Sequence, residues 1–329
     1  MVNKNRLVKL TQKLIKINSE NPGIGEKQIA SFVASFTRSL GLATKTYEFV
    51  KDRPNVLAIL EGSSKNKKSI LFSPHLDTVP AGSNWKADPF SGKIIKGFIF
   101  GRGATDCKGN LAVALEMLHS LVEDKIRLKN DIIFLATADE EKGSKFGLVP
   151  ILEKNIVKAD FAVILDSDDF GIVIAQKGLI HFKVKIFGKK AHGAYPNKDI
   201  NAIELAAAII QDFKKYKFKF KKHALLRSPT TNIGTIKGGD KVNIVSDWCE
   251  FEVDLRFLPG MNHKNILNII KKIIKKHTNK FSLEINDIQK PYEIKKTHIL
   301  AKNLLKNARL FKKHTGFCGS EGATVITFF

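Results

Sequence analysis

A chain of 329 residues, 43% apolar and 26% charged, is too long for one small core and too mixed in character for disorder, so one large or two ordinary domains are expected. The formal charge of +23 raises nucleic acid as a partner, but only eight of the 55 basic residues are arginine, and the lysines run along the whole chain. No apolar run reaches the roughly eighteen residues of a membrane helix, the lysine-broken N-terminus reads against a secretory signal, and three scattered cysteines exclude a disulfide framework or cysteine zinc finger and fit a reducing, cytoplasmic setting.

In chain order, Leu7, Leu10, Leu14 and Ile17 recur at helical spacing, and residues 28–40 read as a second helix. Residues 56–60 and 69–73 read as short strands, 109–121 as a strongly apolar helix, and 131–137 (DIIFLAT) and 161–165 as continuous apolar strands. Strands that are apolar on both sides and separated by helices predict an α/β domain whose sheet is covered by helices on both faces. After Gln176 the pattern alternates: strand 179–187 (LIHFKVKIF), helix 201–213, strands 231–236 and 248–257, a lysine-faced helix 262–276 and a strand 281–285. That order predicts a four-stranded sheet with two helices on one side, an inserted α+β, ferredoxin-like module. Helix 298–311 and a strand at 323–327 then resume the first domain, so the expected boundaries are 1–176, 177–290 and 291–329. The densest basic stretch, 214–222 (KKYKFKFKK), interleaves aromatics with lysines as a nucleic-acid surface would, yet reads first as a solvated helix end and turn.

Six acidic or imidazole groups fall at or near the ends of the first domain's elements, where open α/β sheets place ligands. His75 and Asp77 lie in SPHLDTVP after a strand, Asp106 in GRGATDCKGN at a helix entry, Glu140 and Glu141 after DIIFLATAD, and Asp166 at the end of FAVILD. Each alone reads as an ordinary surface or helix-start group. Together, one imidazole and several carboxylates form a ligand set suited to zinc, cobalt or manganese, in which one carboxylate can bridge two ions.

With those motifs and the later KKAHGAYPNKDINAIE, GGDKVNIV, DLRFLPG and CGSEGATV, the chain resembles the zinc aminoacylase and carboxypeptidase group of co-catalytic metallopeptidases, which includes acetylornithine deacetylase and succinyl-diaminopimelate desuccinylase. The resemblance spans residues 73–325 and implies a catalytic domain interrupted by a lid through which two subunits pair. It implies two divalent ions, zinc first and cobalt or manganese as alternatives. His75 and Asp166 would hold one, Glu141 the other, and Asp106 would bridge them. Glu140 would be the general base, Asp77 the carboxylate that orients His75, and His192 a donor to the oxyanion, reaching in from the partner subunit. Asn243, Arg256, Gly319 and Ser320 would bind substrate, an acyl amino acid or small peptide. Taken alone, His192 reads as a turn residue before Pro196, and Arg256 as the partner of Asp254 or Glu252.

Members of that group continue past the motif matched by Gly319, Ser320 and Glu321 into a further strand, a helix and a histidine for the second ion. Here the chain stops at Phe329 and His314 precedes the motif, so a weakened second site and a catalytically impaired relative stand beside the hydrolase reading. A basic nucleic-acid-binding protein is a weaker third.

Overall fold

The computed structural model describes residues 1–23, 25–166, 171–312 and 314–329. By packing, it forms two compact units: residues 1–170 with 324–329, and residues 171–323.

The first unit contains α1 (Lys4–Lys16), α2 (Lys27–Ser39), β1 (Ala43–Glu48), β2 (Pro54–Leu60), β3 (Ser69–Ser73), a small hairpin of β4 (Ile94–Ile95) and β5 (Phe98–Ile99), α3 (Lys108–Glu123), β6 (Asp131–Ala136), α4 (Leu148–Glu153) and β7 (Phe161–Ile164). Its main sheet has the order β1-β2-β6-β3-β7, with β3 parallel to both β6 and β7 and β2 antiparallel to its neighbours. Successive side chains of a strand point to opposite faces, and both faces here are covered. Val56, Ala58, Phe134 and Ala136 pack with Leu14 of α1, Val33 of α2 and Leu111 and Leu115 of α3. Leu57, Ile133 and Leu135 pack with Leu148 and Ile151 of α4 and with Val325. This is the two-sided burial that the continuous apolar strands predict.

The second unit contains β8 (Ile172–Gln176), β9 (Gly178–Phe187), β10 (Ala191–His192), α5 (Ala202–Lys215), β11 (Thr230–Gly238), β12 (Ile244–Val245), β13 (Trp248–Phe257), α6 (His263–Lys275), β14 (Phe281–Gln289), β15 (Tyr292–Glu293), α7 (Ile299–Phe311) and β16 (Phe317–Ser320). Its four-stranded antiparallel sheet runs β11-β13-β9-β14. Every second residue of β9 and β13, among them Phe182, Val184, Phe251 and Val253, meets Ile209 and Phe213 of α5 and Ile270 and Ile274 of α6. Both helices therefore cover one face, the expected ferredoxin-like arrangement. The basic stretch begins in the last turn of α5 and continues as exposed irregular chain.

The packed units divide the chain at residues other than the expected boundaries, because β8 joins β15 and β16 in a three-stranded sheet and also contacts α7. The strand expected at 323–327 is instead a 3-10 turn, Val325–Phe328, started by the Thr324 side chain accepting from the Ile326 N–H. A run as short as ATVITFF does not distinguish one period from another.

Candidate metal centre

In the parallel part of the first sheet, β3, β6 and β7 end at the same edge. The pairing extends past the strands: Leu76 N donates to Thr137 O at 2.8 Å and Leu165 N to Ser73 O at 3.0 Å. This carries His75, the turn at 139–141 and Asp166 to one place, the carboxyl edge where open α/β sheets bind ligands. Asp106 arrives separately, just before α3.

His75 is buried, and its Nε2 lies 2.7 Å from Asp106 Oδ1 and 3.6 Å from Asp166 Oδ1. On its other side Nδ1 is 2.9 Å from the Asp77 carbonyl and 3.4 Å from Asp77 Oδ1, so Nδ1 carries a hydrogen and Nε2 faces the carboxylates, donating a hydrogen to Asp106 unless a cation takes that place. Ligand atoms of His75, Asp106 and Glu141 lie within 4.8 Å of one another, as do those of His75, Cys107 and Asp166. Among the described residues no lysine or arginine forms an ion pair with Asp106, Glu141 or Asp166. Three carboxylates converging on one imidazole, with no lysine or arginine in ion-pair contact among the described residues, fit a divalent cation, and the nitrogen and oxygen donors suit zinc, cobalt or manganese.

Burial pushes the Glu140 carboxyl up to about 8, with Asp166, Asp77 and Glu141 adding to the rise against His75. Burial likewise raises Glu141, with Asp106 next in effect, and raises Asp166. Asp106 is lowered, chiefly by its hydrogen bond with His75. Burial alone would raise Asp77, but the hydrogen bonds it accepts from His75 and Asn21 and from the Glu141 N–H bring it below the ordinary value.

Asp77 is the hub of the polar structure below the cluster. Its Oδ1 accepts the Glu140 N–H at 3.0 Å and its Oδ2 the Glu141 N–H at 3.1 Å and the Asn21 amide at 2.9 Å. Glu141 Oε1 accepts the Val79 N–H at 3.1 Å. Asn21 is brought alongside because residues 19–21 pair with 76–78: Asn21 N donates to Thr78 O and Thr78 N to Ser19 O.

The six first-domain residues named from the sequence are thus together. The others lie in the second unit. His192, on β10, is exposed; its Nδ1 accepts the Ala194 N–H at 3.1 Å, which leaves Nε2 as the protonated nitrogen. The β10–β12 pairing places it beside Asn243, whose carbonyl accepts the Gly193 N–H at 2.8 Å. Arg256 turns Nε and Nη2 to Asp254, at 2.7 and 2.9 Å. Gly319 and Ser320 lie on β16 against Ala175 and Gln176, and the following Glu321 pairs with buried Lys177 at 2.5 Å. Of the acidic strand end LDSDD, Asp168 and Asp169 lie outside the described residues. Sequence reading missed Cys107, Asn21, Glu26, Arg53 and Asp139 as parts of this site. Only Cys107 and Asp139 carried a signal, each standing next to a named residue.

Two family models match: a peptidase dimerisation domain over residues 174–282 and peptidase family M28 over residues 55–170. The succinyl-diaminopimelate desuccinylase of Orientia tsutsugamushi strain Boryong is 27% identical over 302 residues, covering 89% of this chain and 77% of that protein. The acetylornithine deacetylase of Pasteurella multocida is 31% identical over 243 residues, covering 71% and 62%. In fold, the chain is similar to an M20 family metallo-carboxypeptidase from Sulfolobus solfataricus, with a TM-score of 0.79, 21% identity and coverage of 99% of this chain and 88% of that one.

Proposed function

Because the chain belongs to the zinc aminoacylase and carboxypeptidase family of co-catalytic metallopeptidases and is a metal-dependent hydrolase of amide bonds, we propose that it deacylates an N-acyl amino acid or cleaves a small peptide. The observation that carries this reading is the convergence of His75, Asp106, Glu141 and Asp166 at one sheet edge with Glu140 beside them. His75, Asp106 and Asp166 would hold one divalent ion, with Asp106 and Glu141 holding a second, zinc being the first candidate. Bound there, the ions supply a polarised carbonyl and a water of lowered pKa. Glu140, its backbone N–H fixed by Asp77, would take the proton of that water and deliver it to the departing amine. Asp77 holds the His75 imidazole in the tautomer that points Nε2 at the ion. The Nε2–H of His192, reaching in from the partner subunit, would be the donor to an oxyanion. Asn243, Arg256, Gly319 and Ser320 would recognise the substrate, Arg256 meeting a carboxylate with the part of its fork turned away from Asp254. The second unit, matched as a dimerisation domain, would pair two subunits, and the setting would be the reducing cytoplasm. A site of carboxylates alone holds zinc more weakly than one with an imidazole, so an ion bound only by Asp106 and Glu141 should leave first on dialysis against a chelator.

The test is metal analysis together with hydrolysis of N-acetylornithine, N-succinyl-diaminopimelate, other N-acetyl amino acids and dipeptides, with and without added zinc or cobalt. Turnover of one class is expected, falling ~100- to 10,000-fold in Glu140→Gln with the metal retained. Absence of turnover at saturating metal would point to an impaired relative. An unchanged rate in Glu140→Gln would remove Glu140 as the base.

A further inference from the structure

We propose that Arg53 is a positioning residue for the Glu140–Glu141 turn, acting through Asn21, Asp77 and Asp139, an inference that rests on the roles given to those two glutamates above. Arg53 lies just before β2, and its side chain is 17% exposed. Its Nη2 donates to Asn21 Oδ1 at 3.0 Å. A guanidinium has only donors, so Asn21 must turn its oxygen to Arg53 and its NH2 the other way. That NH2 donates to Asp77 Oδ2 at 2.9 Å and to Asp139 Oδ1 at 3.1 Å. Asp77 in turn holds the N–H groups of Glu140 and Glu141.

The second arm of Arg53 fixes the turn from its other end. Nη1 lies 3.3 Å from both Asp139 Oδ1 and Glu26 Oε1, and the same Glu26 oxygen accepts the Asp139 N–H at 3.0 Å. Asp139 has a left-handed backbone, φ 62, which an aspartate tolerates only with local support. Its remaining oxygen accepts the Phe146 N–H at 3.2 Å. Glu140 and Glu141 are therefore held by a chain of bonds in which every acceptor is a carboxylate or amide oxygen and, among the described residues, the one guanidinium or ammonium is Arg53. A lysine would keep the charge but not the fixed fork that addresses three acceptors at once. Without the fork, Asn21 could turn over and set its oxygen against Asp77 and Asp139.

Arg53→Lys tests this by three readouts. On the substrate identified, kcat should fall ~10- to 100-fold with KM changed less than about threefold, the range found when groups behind a metal site are altered. Cobalt(II) titration should show one of two ions bound ~10- to 100-fold more weakly. In the wild-type, metal-free protein, hydrogen exchange should show the Glu140 and Glu141 amides protected at least about 100-fold over unstructured peptide, with the protection lost in Arg53→Lys. A variant whose melting temperature falls while kcat, both metal affinities and amide protection stay within twofold of wild type would overturn the proposal and leave Arg53 a stabilising residue only. If the variant does not fold, wild-type exchange decides: unprotected Glu140 and Glu141 amides mean that the clamp is absent. Exchange and cobalt binding need no turnover, so a chain that hydrolyses none of the panel would refute the proposed function without deciding this point.

Discussion

Glu26 has no exposed surface, and its Oε1 accepts the Asp139 N–H while Oε2 has no hydrogen-bond partner among the described residues. Burial, and then the charge of Asp77, raise its carboxyl from 4.5 to about 7, against the opposing pull of Arg53 and the Asp139 N–H. The folded protein thus binds this proton more tightly than the unfolded chain. The group carries no penalty below 4.5, and stability falls as pH rises from there through about 7. The loss is at most ~3 kcal/mol for a carboxyl moved this far. Urea unfolding of the metal-free protein at about pH 5 and about pH 8 should show that decline, and Glu26→Gln should flatten it, its amide oxygen keeping both bonds of Oε1. A slope unchanged in the variant would assign the pH dependence to other groups. Residues of this kind were not legible in the sequence. His75, Asp106, Glu141 and Asp166 stood out because each sits in a short motif at the end of a readable element. The partners that give Asn21 and Arg53 their meaning are up to 118 residues away, and no local pattern announces them.

Helices and strands with a full apolar face were readable, and β13 falls on the expected residues 248–257. β1, with the sequence ATKTYE and mostly exposed side chains, offers no such face and is held by pairing with β2. The short connections were the least legible, and they are what position the site. Gly147 precedes α4 and closes the turn that begins at Asp139; a Cβ there would stand 1.9 Å from the Ala138 carbonyl. Gly188 follows β9 in the second unit, where a Cβ would stand 2.2 Å from the Ile200 carbonyl. Both clashes are with backbone, so each alanine variant should lose ~2 kcal/mol or more of unfolding free energy. Their effects on the metal should differ. Gly147→Ala displaces Glu140 and Glu141 and should weaken cobalt binding at least about tenfold, whereas Gly188→Ala should leave it unchanged. Equal effects of the two on metal affinity would show that the 139–147 turn does not set the ligand geometry.

At the scale of the molecule, the plan of an α/β unit and an α+β unit was legible in the switch from continuous to alternating apolar strands. The dividing residues were not, because the three-stranded sheet of β8, β15 and β16 draws on segments more than a hundred residues apart. The sheet order β1-β2-β6-β3-β7 places β3, the strand leading to His75, between two strands that come much later in the chain. The candidate donors are numbered 75, 106, 141 and 166; His75, Glu141 and Asp166 come together only when both parallel pairings have formed, and such non-local pairings are slow to close. Metal capture is therefore expected late in folding rather than as its nucleus. On dilution from denaturant in the presence of cobalt, far-ultraviolet circular dichroism should recover first and the visible absorption of the bound ion should lag behind it. Simultaneous recovery would mean that a partial ligand set already holds the ion. On the expected course, a nascent chain meets its metal only once β7 has been made and the Ser73–Leu165 pairing has closed, which makes bound cobalt a reporter of the finished first unit.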